Sequence, residues 1–366
     1  MLEVQSLTVR AGTFVVRDVS IRVPAASCHV ILGATGSGKT LFLESLIGLR
    51  QPVKGVIRID GVDVTHTPVE QRGIGYVPQD LALFPHMTAK ENILYAQRVR
   101  KSERQDGSLF ASLVDSLGIH HILERGVAHL SGGERQRVAL ARAIFSGSRV
   151  LILDEPLSSL HEGLRRELWF TLKDLAKTYR LALLIVTHDL DEAFFLGDDI
   201  TILLEGKVRQ QGTRMELLQR PRTSEVARFL GIRNLFTMTD LMAQNDLLSG
   251  KCPELTTALR VRKPTQMPLD EEQTDFHRQA AVGIRGEDVI LYADHVPLPA
   301  SNLFQGSVVG VYETGTTAIV LVKPTHGSKW LECVAPIHDI HARGLVPGQD
   351  IYAWLPEDKL FLMRDG

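Results

Sequence analysis

Apolar and polar positions change their spacing several times along the first 230 residues. Continuous apolar runs at 29–32, 150–154 and 183–187 predict buried parallel strands. Alternation over 2–10 and 14–23 predicts an antiparallel hairpin, to which 55–61 adds a strand. Helical spacing takes over at 84–144 and 164–179. We therefore expect an α/β domain with a small antiparallel β subdomain and a helical subdomain.

The pattern changes near Gly231. A polar stretch at 262–280 predicts a loop or linker. Short strands separated by glycine and proline turns are then predicted at 281–284, 306–312, 318–322, 330–334 and 350–354. These strands indicate an all-β, OB-like barrel module. The predicted limits are 1–232 for the α/β domain, 233–294 for the linker and first part of the β module, and 295–366 for the small barrel.

A glycine-rich loop lies between the predicted strand 29–32 and a predicted helix at 41–47. Strand, loop and helix in this order are the context of a phosphate-binding loop, in which backbone N–H groups and a helix N-terminus face an anion. Lys39 would reach the β- and γ-phosphates of a nucleotide, and Thr40 would offer its hydroxyl to a magnesium ion. A glycine-rich turn with a nearby lysine is the alternative. The loop residues are Gly33, Ala34, Thr35, Gly36, Ser37, Gly38, Lys39 and Thr40.

Two adjacent carboxylates, Asp154 and Glu155, stand at the end of a predicted central strand. Asp154 is placed to hold magnesium through water, and Glu155 is placed to accept a proton from an attacking water. The alternative is a solvated acidic turn. In a chain with a phosphate loop, the pair favours nucleotide hydrolysis.

A second anion-binding helix terminus is predicted where Ser131, Gly132, Gly133 and Glu134 begin a helix. One ATP needs only one phosphate loop, so a simple arrangement has two chains facing each other. Each chain would then close its serine–glycine terminus onto the ATP of its partner. The alternative is an ordinary helix cap.

Composition and charge narrow the classes of protein. The 366 residues suggest two or three domains, and the formal net charge of -2 argues against a mainly nucleic-acid-binding protein. The three cysteines are widely scattered, without disulfide or metal-ligand spacing, which favours a reducing cytosol. The start has no signal-peptide pattern, and no apolar run approaches the roughly 18 residues that span a bilayer. Any membrane part would come from a partner.

Together, these motifs resemble the nucleotide-binding subunit of the ABC transporter family over about residues 2–231. The resemblance implies that Gln79 senses the γ-phosphate, the magnesium ion and the membrane partner. It implies that His188 contacts the γ-phosphate and orients the water, although a lone histidine at a strand end is more often structural. Residues 83–86 lie where importers of this family receive a coupling helix.

The resemblance also implies the cofactors and partners. These are ATP with Mg, a second copy of the chain in a nucleotide-sandwich dimer, two integral membrane permease subunits and, indirectly, an extracytoplasmic solute-binding protein. Nucleic acid is not among them, and the expected location is peripheral, at the cytoplasmic face of the cell membrane. A soluble ATPase of the same superfamily is the remote alternative, but its known forms carry a long coiled-coil insertion or tandem nucleotide domains.

Two positions depart from the family pattern. His161 stands where the family usually has an aspartate, in a loop that normally crosses the dimer interface. Ala11 stands where an aromatic residue usually stacks on adenine, and Phe14 is the nearby candidate. Phe14 is either that stacking residue or a residue of a core strand.

The second part of the chain bears on the transported solute. A nucleotide domain followed by a β module resembles importers, and residues 74–86 are similar to those of the molybdate, tungstate, sulfate and iron group. Residues 299–306 resemble the start of a molybdate-binding barrel, where Asn302 matches and Ser301 replaces an arginine. The resemblance favours molybdate or tungstate import, with sulfate, ferric iron or sugar and polyol import as alternatives. The barrel fold can persist without oxyanion sensing.

Overall fold

The computed structural model describes residues 1–100, 107–158, 160–262, 279–293 and 301–363. The chain forms two compact units, Met1–Arg214 and Met215–Gly366. The domain limits at 232 and 294 stay predictions. Ser159, most of the predicted linker and the start of the motif at 299–306 lie outside the described residues.

The first unit combines one large sheet with helices. Its strands are β1 (Leu2–Ala11), β2 (Phe14–Val23), β3 (Ser27–Leu32), β4 (Lys54–Ile59), β5 (Val62–Asp63), β6 (Ile74–Val77), β7 (Val150–Asp154), β8 (Ala182–Thr187), β9 (Asp199–Leu204) and β10 (Lys207–Thr213). Its helices are α1 (Lys39–Ile47), α2 (Ala89–Arg100), α3 (Gly107–Leu117), α4 (Gly132–Phe145), α5 (Glu162–Thr178) and α6 (Leu190–Leu196).

The sheet of the first unit has an antiparallel part and a parallel part. Its strand order is β5-β4-β1-β2-β10-β9-β3-β8-β7-β6. The predicted hairpin is the antiparallel pair β1 and β2, and β3, β8, β7 and β6 are parallel neighbours. The predicted α/β fold with a small antiparallel subdomain is therefore confirmed.

Burial explains why the parallel strands lie at the centre. Every residue of β7 and β8 is buried, as expected for strands covered on both faces. Helix α1 carries the fully buried side chains of Phe42, Leu43 and Leu46 into the same core as the antiparallel strands. The helix that follows the phosphate loop is consequently fixed in position by packing.

The second unit contains two five-stranded sheets, ordered β13-β12-β11-β14-β20 and β15-β19-β16-β17-β18. Both sheets contribute buried side chains to one core, which includes Phe236, Val282, Val320 and Ala353. The strands are β11 (Asn234–Gln244), β12 (Leu247–Cys252), β13 (Thr257–Arg262), β14 (Gln279–Ile284), β15 (Ile290–Tyr292), β16 (Leu303–Thr314), β17 (Thr317–Pro324), β18 (Leu331–Pro336), β19 (Asp350–Trp354) and β20 (Phe361–Met363). The helices are α7 (Arg214–Gln219), which starts at the boundary, α8 (Ser224–Phe229) and α9 (Ile337–Arg343).

The three cysteines are free and buried, one in the first unit and two in the second. Burial raises the pKa of the Cys252 thiol to about 11 and that of Cys333 to about 12. The pKa of Cys28 is raised further by the same cause. None of the helices in the described ranges is long and apolar enough to span a membrane.

Candidate active site

Four parallel strands deliver the predicted site residues to one edge of the sheet. The phosphate loop follows β3, His188 follows β8, Glu155 follows β7, and Gln79 stands two residues after β6. In the register, Leu32 pairs with Thr187, Val186 with Asp154, and Leu153 with Val77. Since the carboxyl ends of parallel strands meet at one edge, the sheet brings these groups together.

The phosphate loop closes through backbone geometry that only glycine accommodates easily. Gly36 and Gly38 have φ angles of 80° and 99°, and Gly38 caps the N-terminus of α1. A Cβ atom on Gly38 would lie 2.5 Å from a methyl carbon of Val16. The loop is held by hydrogen bonds from Gly33 N to Thr187 O (3.2 Å) and from Gly206 N to Ser37 O (3.0 Å). The N–H groups at the start of α1 are therefore held in place for an anion.

Lys39 lies across the loop with only 6% of its surface exposed. Its Nζ donates to the carbonyl oxygens of Gly33 (2.8 Å) and Ala34 (3.0 Å) and lies 3.8 Å from Glu155 Oε1. Burial lowers the pKa of Lys39, while the nearby Glu155 and Asp154 carboxylates oppose that shift. A buried cation beside the loop can stabilise phosphate charge.

Glu155 has a backbone conformation that is unusual for its residue type. Its φ is 45°, and its N–H donates to Val186 O at 2.8 Å, so the turn after β7 is tied to β8. The carboxylate Oε1 lies 3.1 Å from His188 Nδ1, with the Glu155 side chain 17% exposed. Strained backbone of this kind often occurs at functional sites. The geometry presents one carboxylate to both Lys39 and His188.

Asp154 is buried, with 6% of its surface exposed. Burial raises the pKa of Asp154, the Glu155 charge adds to that effect, and Lys39 opposes it. Burial raises the pKa of the Tyr76 phenol to about 12, and the charge of the nearby Asp154 carboxylate adds to that shift. Sequence reasoning missed Tyr76. The parallel register gives the signal, because Tyr76 pairs with Ile152, which shares a strand face with Asp154.

The residues predicted to hold magnesium offer only oxygen atoms, from the Thr40 hydroxyl, the Gln79 amide and the Asp154 carboxylate. This donor set suits Mg²⁺, which takes few protein ligands and completes its shell with phosphate and water oxygens. In the described part of the chain, no three or more histidine, cysteine or acidic residues form a metal cluster. The residues present therefore fit a magnesium ion that binds together with the nucleotide.

Ser131 forms a reciprocal cap at the start of α4. Its N–H donates to Glu134 Oε2 at 2.7 Å, and Glu134 N donates to Ser131 Oγ at 3.3 Å. The hydrogen bonds from Ser131 lower the pKa of Glu134. Helix α4 packs against α2, α3 and β6, so Ser131 comes from the helical subdomain rather than from a strand end. Its action on the nucleotide of a second chain stays a prediction.

Phe14 is a surface residue at the start of β2, 36% exposed. Its ring lies close to the phosphate loop, because a Cβ atom on Gly38 would be 2.8 Å from Phe14 Cε1. The side chain is thus not a buried core residue. Its stacking on adenine stays a prediction.

Gln79 is presented by a turn that follows β6. Strand β6 stops at Val77, and Leu81 N donates to Pro78 O at 2.9 Å, which makes Gln79 and Asp80 the central residues of the turn. A cavity of about 360 Å³ is lined in part by Gln79, Leu83 and Pro85. Two residues of the segment 83–86 therefore line the same cavity as Gln79.

Behind His188 lies a polar network that sequence reasoning missed. Arg165 Nη1 donates to Asp189 Oδ2 at 2.7 Å, and Asp189 Oδ1 accepts from Glu192 N at 3.0 Å at the start of α6. Thr187 Oγ1 donates to Glu192 Oε2 at 2.6 Å. Burial raises the pKa of Glu192 to about 7. Only the contact of Arg165 with Asp189 joins distant segments, whereas the other two lie within the start of α6, where Asp189 is the N-cap.

Comparison with known proteins defines the family. A model of the ABC transporter family matches residues 16–158. The molybdate/tungstate import ATP-binding protein of Pyrococcus abyssi is 34% identical, over 96% of this chain and 97% of that protein. The sulfate/thiosulfate import ATP-binding protein of Agrobacterium fabrum is 40% identical, over 60% of this chain and 65% of that protein.

A solved structure agrees with this relationship. A dimeric ATP-binding cassette in a post-hydrolysis state, bound to ADP and Pi, aligns with a TM-score of 0.51 and 25% identity, over 58% of this chain and 99% of that chain. Fold and strand-edge geometry thus define an ATPase of the phosphate-loop class. The chain belongs to the ABC transporter family and is an ATP-binding, ATP-hydrolysing subunit of an importer.

Proposed function

We propose that Glu155 is the general base of ATP hydrolysis at the strand edge. The contact that carries this proposal is the 3.1 Å separation of Glu155 Oε1 and His188 Nδ1, with Lys39 Nζ 3.8 Å from the same oxygen. A carboxylate held between these two groups is oriented and only slightly exposed, as a base acting on a bound water requires.

The residues divide the reaction between them. The phosphate loop and Lys39 bind the β- and γ-phosphates, and His188 orients the attacking water. The oxygen of that water attacks the γ-phosphorus while Glu155 takes a proton from the water. The bond between the γ-phosphorus and the oxygen bridging to the β-phosphate breaks, which yields ADP and phosphate. Thr40, Gln79 and Asp154 would hold a magnesium ion, which supplies positive charge to the phosphates.

Replacement of the base tests this proposal. Glu155→Gln should lower the ATP hydrolysis rate by roughly 10²- to 10⁴-fold and leave ATP binding intact, because the amide cannot accept the proton. Glu162→Gln is the matched control, since Glu162 is an exposed residue of α5 whose side chain pairs with Arg166. Hydrolysis by Glu155→Gln at the normal rate would rule out Glu155 as the base.

We further propose that two copies form the working site, with Ser131 of one chain closing on the nucleotide of the other. The dimeric state of the cassette bound to ADP and Pi supports this arrangement. In the presence of ATP, light scattering of Glu155→Gln should give the molar mass of a dimer, because the trapped nucleotide holds both copies together. Adding Ser131→Arg should leave only monomers, since the bulky cation blocks the closed interface.

The solute that we propose is molybdate or tungstate. The molybdate/tungstate import relative aligns over 96% of this chain, so the likeness includes the second unit, whereas the sulfate/thiosulfate relative covers 60%. We place the subunit at the cytoplasmic face of the membrane, beneath two permease subunits that receive solute from a binding protein. Uptake of molybdate by cells carrying Glu155→Gln should fall, while an unchanged uptake would favour sulfate, ferric iron or sugar.

Asn302 in the second unit has no free capacity for an oxyanion. Its Nδ2 donates to Arg260 O (2.8 Å) and Leu355 O (2.9 Å), and its Oδ1 accepts from Arg260 N (2.6 Å). With 2% exposure, the amide joins the backbone of β13 at Arg260 to that of Leu355, directly after β19. We infer a structural role for Asn302, and calorimetry of the full chain with molybdate, tungstate and sulfate tests whether the second unit binds any of them elsewhere.

A further inference from the structure

The last residue of the Gln79 turn and the residue directly after it have left-handed backbone conformations. The φ angles are 66° at Leu81 and 43° at Ala82, and neither residue is a glycine. Such a conformation costs roughly 1–2 kcal/mol per residue for L-amino acids. Something outside the turn must therefore hold it in this shape.

Arg142 supplies that hold from the last turn of α4. Its Nη1 donates to Ala82 O at 2.6 Å and its Nη2 donates to Leu81 O at 2.7 Å, so one guanidinium grips both left-handed residues. The guanidinium carbon also lies 5.6 Å from the centroid of the Phe84 ring. The planar guanidinium group can donate to both carbonyl groups at once in a fixed geometry. The single ammonium group of a lysine cannot make this pair of hydrogen bonds.

The far side of the same segment is fixed as well. Asn92 Oδ1 accepts from Phe84 N at 2.8 Å, and Asn92 Nδ2 donates to Phe84 O at 3.2 Å. Asn92 is fully buried on α2, and its amide also donates to Thr88 O at 3.0 Å. The segment that follows Gln79 is thus anchored at Phe84 by Asn92 and at Leu81 and Ala82 by Arg142.

Helix α4 connects this anchor to Ser131. Arg142 stands eleven positions after the N-cap residue Ser131, a length of about 16 Å at 1.5 Å per residue. A continuous helix transmits displacement along its axis. A displacement of α4 as a rigid body would therefore reach the carbonyl groups of Leu81 and Ala82 through Arg142.

We propose that Arg142 is a positioning residue, which holds the strained turn so that the orientation of Gln79 follows the position of helix α4. The inference rests on the proposed role of Gln79 in hydrolysis. Arg142 itself contacts neither the phosphate loop nor Glu155 among its described hydrogen bonds. Its loss should change the rate of turnover and not the binding of ATP.

Hydrogen exchange of the full chain without nucleotide tests the hold directly. Arg142→Ala should speed amide exchange in residues 79–84 by at least about tenfold, the change that corresponds to about 1.4 kcal/mol of lost hydrogen bonding. Arg142→Lys keeps the charge at the helix end and loses the fork, so it should exchange almost as fast. Wild-type exchange in both variants would overturn the proposal.

Arg137→Ala is the matched control from the same helix. Its guanidinium also donates to a backbone carbonyl, that of Leu117 at 2.9 Å, but it does not contact the Gln79 turn. This variant should leave exchange in 79–84 unchanged. Equal acceleration in both variants would show a general loosening of α4 and would contradict a specific hold by Arg142.

Steady-state kinetics of ATP hydrolysis test the effect of Arg142 on turnover. Arg142→Ala should lower kcat about tenfold and change KM for ATP by less than about twofold. Adding Ala82→Gly should recover part of kcat, because glycine adopts the left-handed conformation without the steric penalty. Failure to recover any activity, with exchange still fast, would contradict the strain argument.

A normal kcat for Gln79→Ala would instead refute the proposed role of Gln79, and the exchange experiment would still decide the role of Arg142.

Discussion

Glu192 is the buried carboxyl whose titration bears on stability. Its pKa is raised from 4.5 to about 7, mainly by burial, with Asp189 and Glu155 adding to the shift and Thr187 and Arg165 opposing it. Between these values the folded chain keeps the proton and the unfolded chain releases it. Stability is therefore highest below about pH 4.5 on this account, falls as the pH rises to 7, and is constant above.

Glu192→Gln should remove this dependence. Relative to the wild type, the variant should gain little at pH 4.5 and on the order of 3 kcal/mol in free energy of unfolding at pH 8. Denaturant unfolding at both pH values measures the difference, with Glu162→Gln as an exposed control. A gain that is the same at both pH values would mean that Glu192 is ionised in the folded chain.

Sequence motifs locate residues whose place in the fold is set by their near neighbours in the chain. The places of Lys39, Asp154 and Glu155 in the fold could be predicted, because each ends or follows a strand or a glycine loop, and their chemical roles stay predictions. Tyr76 and Arg142 could not be predicted, because their partners lie about 80 and 60 residues away in sequence. Long-range contacts of this kind depend on the register of strands and the packing of helices.

Helix α5 begins without a side-chain cap. Its N-cap residue is His161, exposed and extended at φ -65° and ψ 152°, and its side chain accepts no hydrogen bond from the first turn. His161→Asp should raise the free energy of unfolding by about 1 kcal/mol, because an aspartate accepts from N–H groups at the N2 or N3 position. His161→Ala is the control and should change stability little.

Urea unfolding of the three proteins checks this prediction. Equal stability of His161→Asp and His161→Ala would show that the start of α5 does not accept a cap. The ATP hydrolysis rate can be measured in the same samples, since the loop with His161 follows Glu155. A change in rate without a change in stability would assign His161 a role in hydrolysis instead.

At the level of elements, strands with a clear pattern were predicted and mixed ones were missed. The central strands β7 and β8 are continuously apolar, and the pattern located them within about one residue. Strand β11 has no such pattern, because it is buried at its start and exposed at its end, and β13 alternates between exposed and buried residues over only six positions. Strand β20 has three residues and exists only through pairing with β14.

The two compact units have separate hydrophobic cores, one around β1 and α1 and one between the sheets of the second unit. Calorimetry of the full chain should therefore show two unfolding transitions. In the Glu155→Gln background, ATP at 100 times its Kd should stabilise only the transition of the first unit, by about 2.7 kcal/mol. A single transition that ATP shifts as a whole would show cooperative unfolding.

A substitution at the buried residue Asn302 should affect the unfolding transition of the second unit. Asn302→Asp should destabilise the second unit by about 3 kcal/mol, because the carbonyl groups of Arg260 and Leu355 lose their donors. Asn245→Asp is the matched control, since Asn245 is also left-handed, at φ 50°, but lies exposed in a turn. Equal effects of both substitutions would contradict a structural role for the Asn302 side chain.

The buried cysteines make the chain suitable for site-specific labelling. All three thiols are shielded and their pKa values are raised, so little thiolate is available at neutral pH to react with maleimide dyes. A single cysteine introduced on the surface would then carry the fluorophore alone, without removal of the native residues. Energy transfer between labelled copies would then test whether two chains close on the nucleotide in each turnover, as proposed.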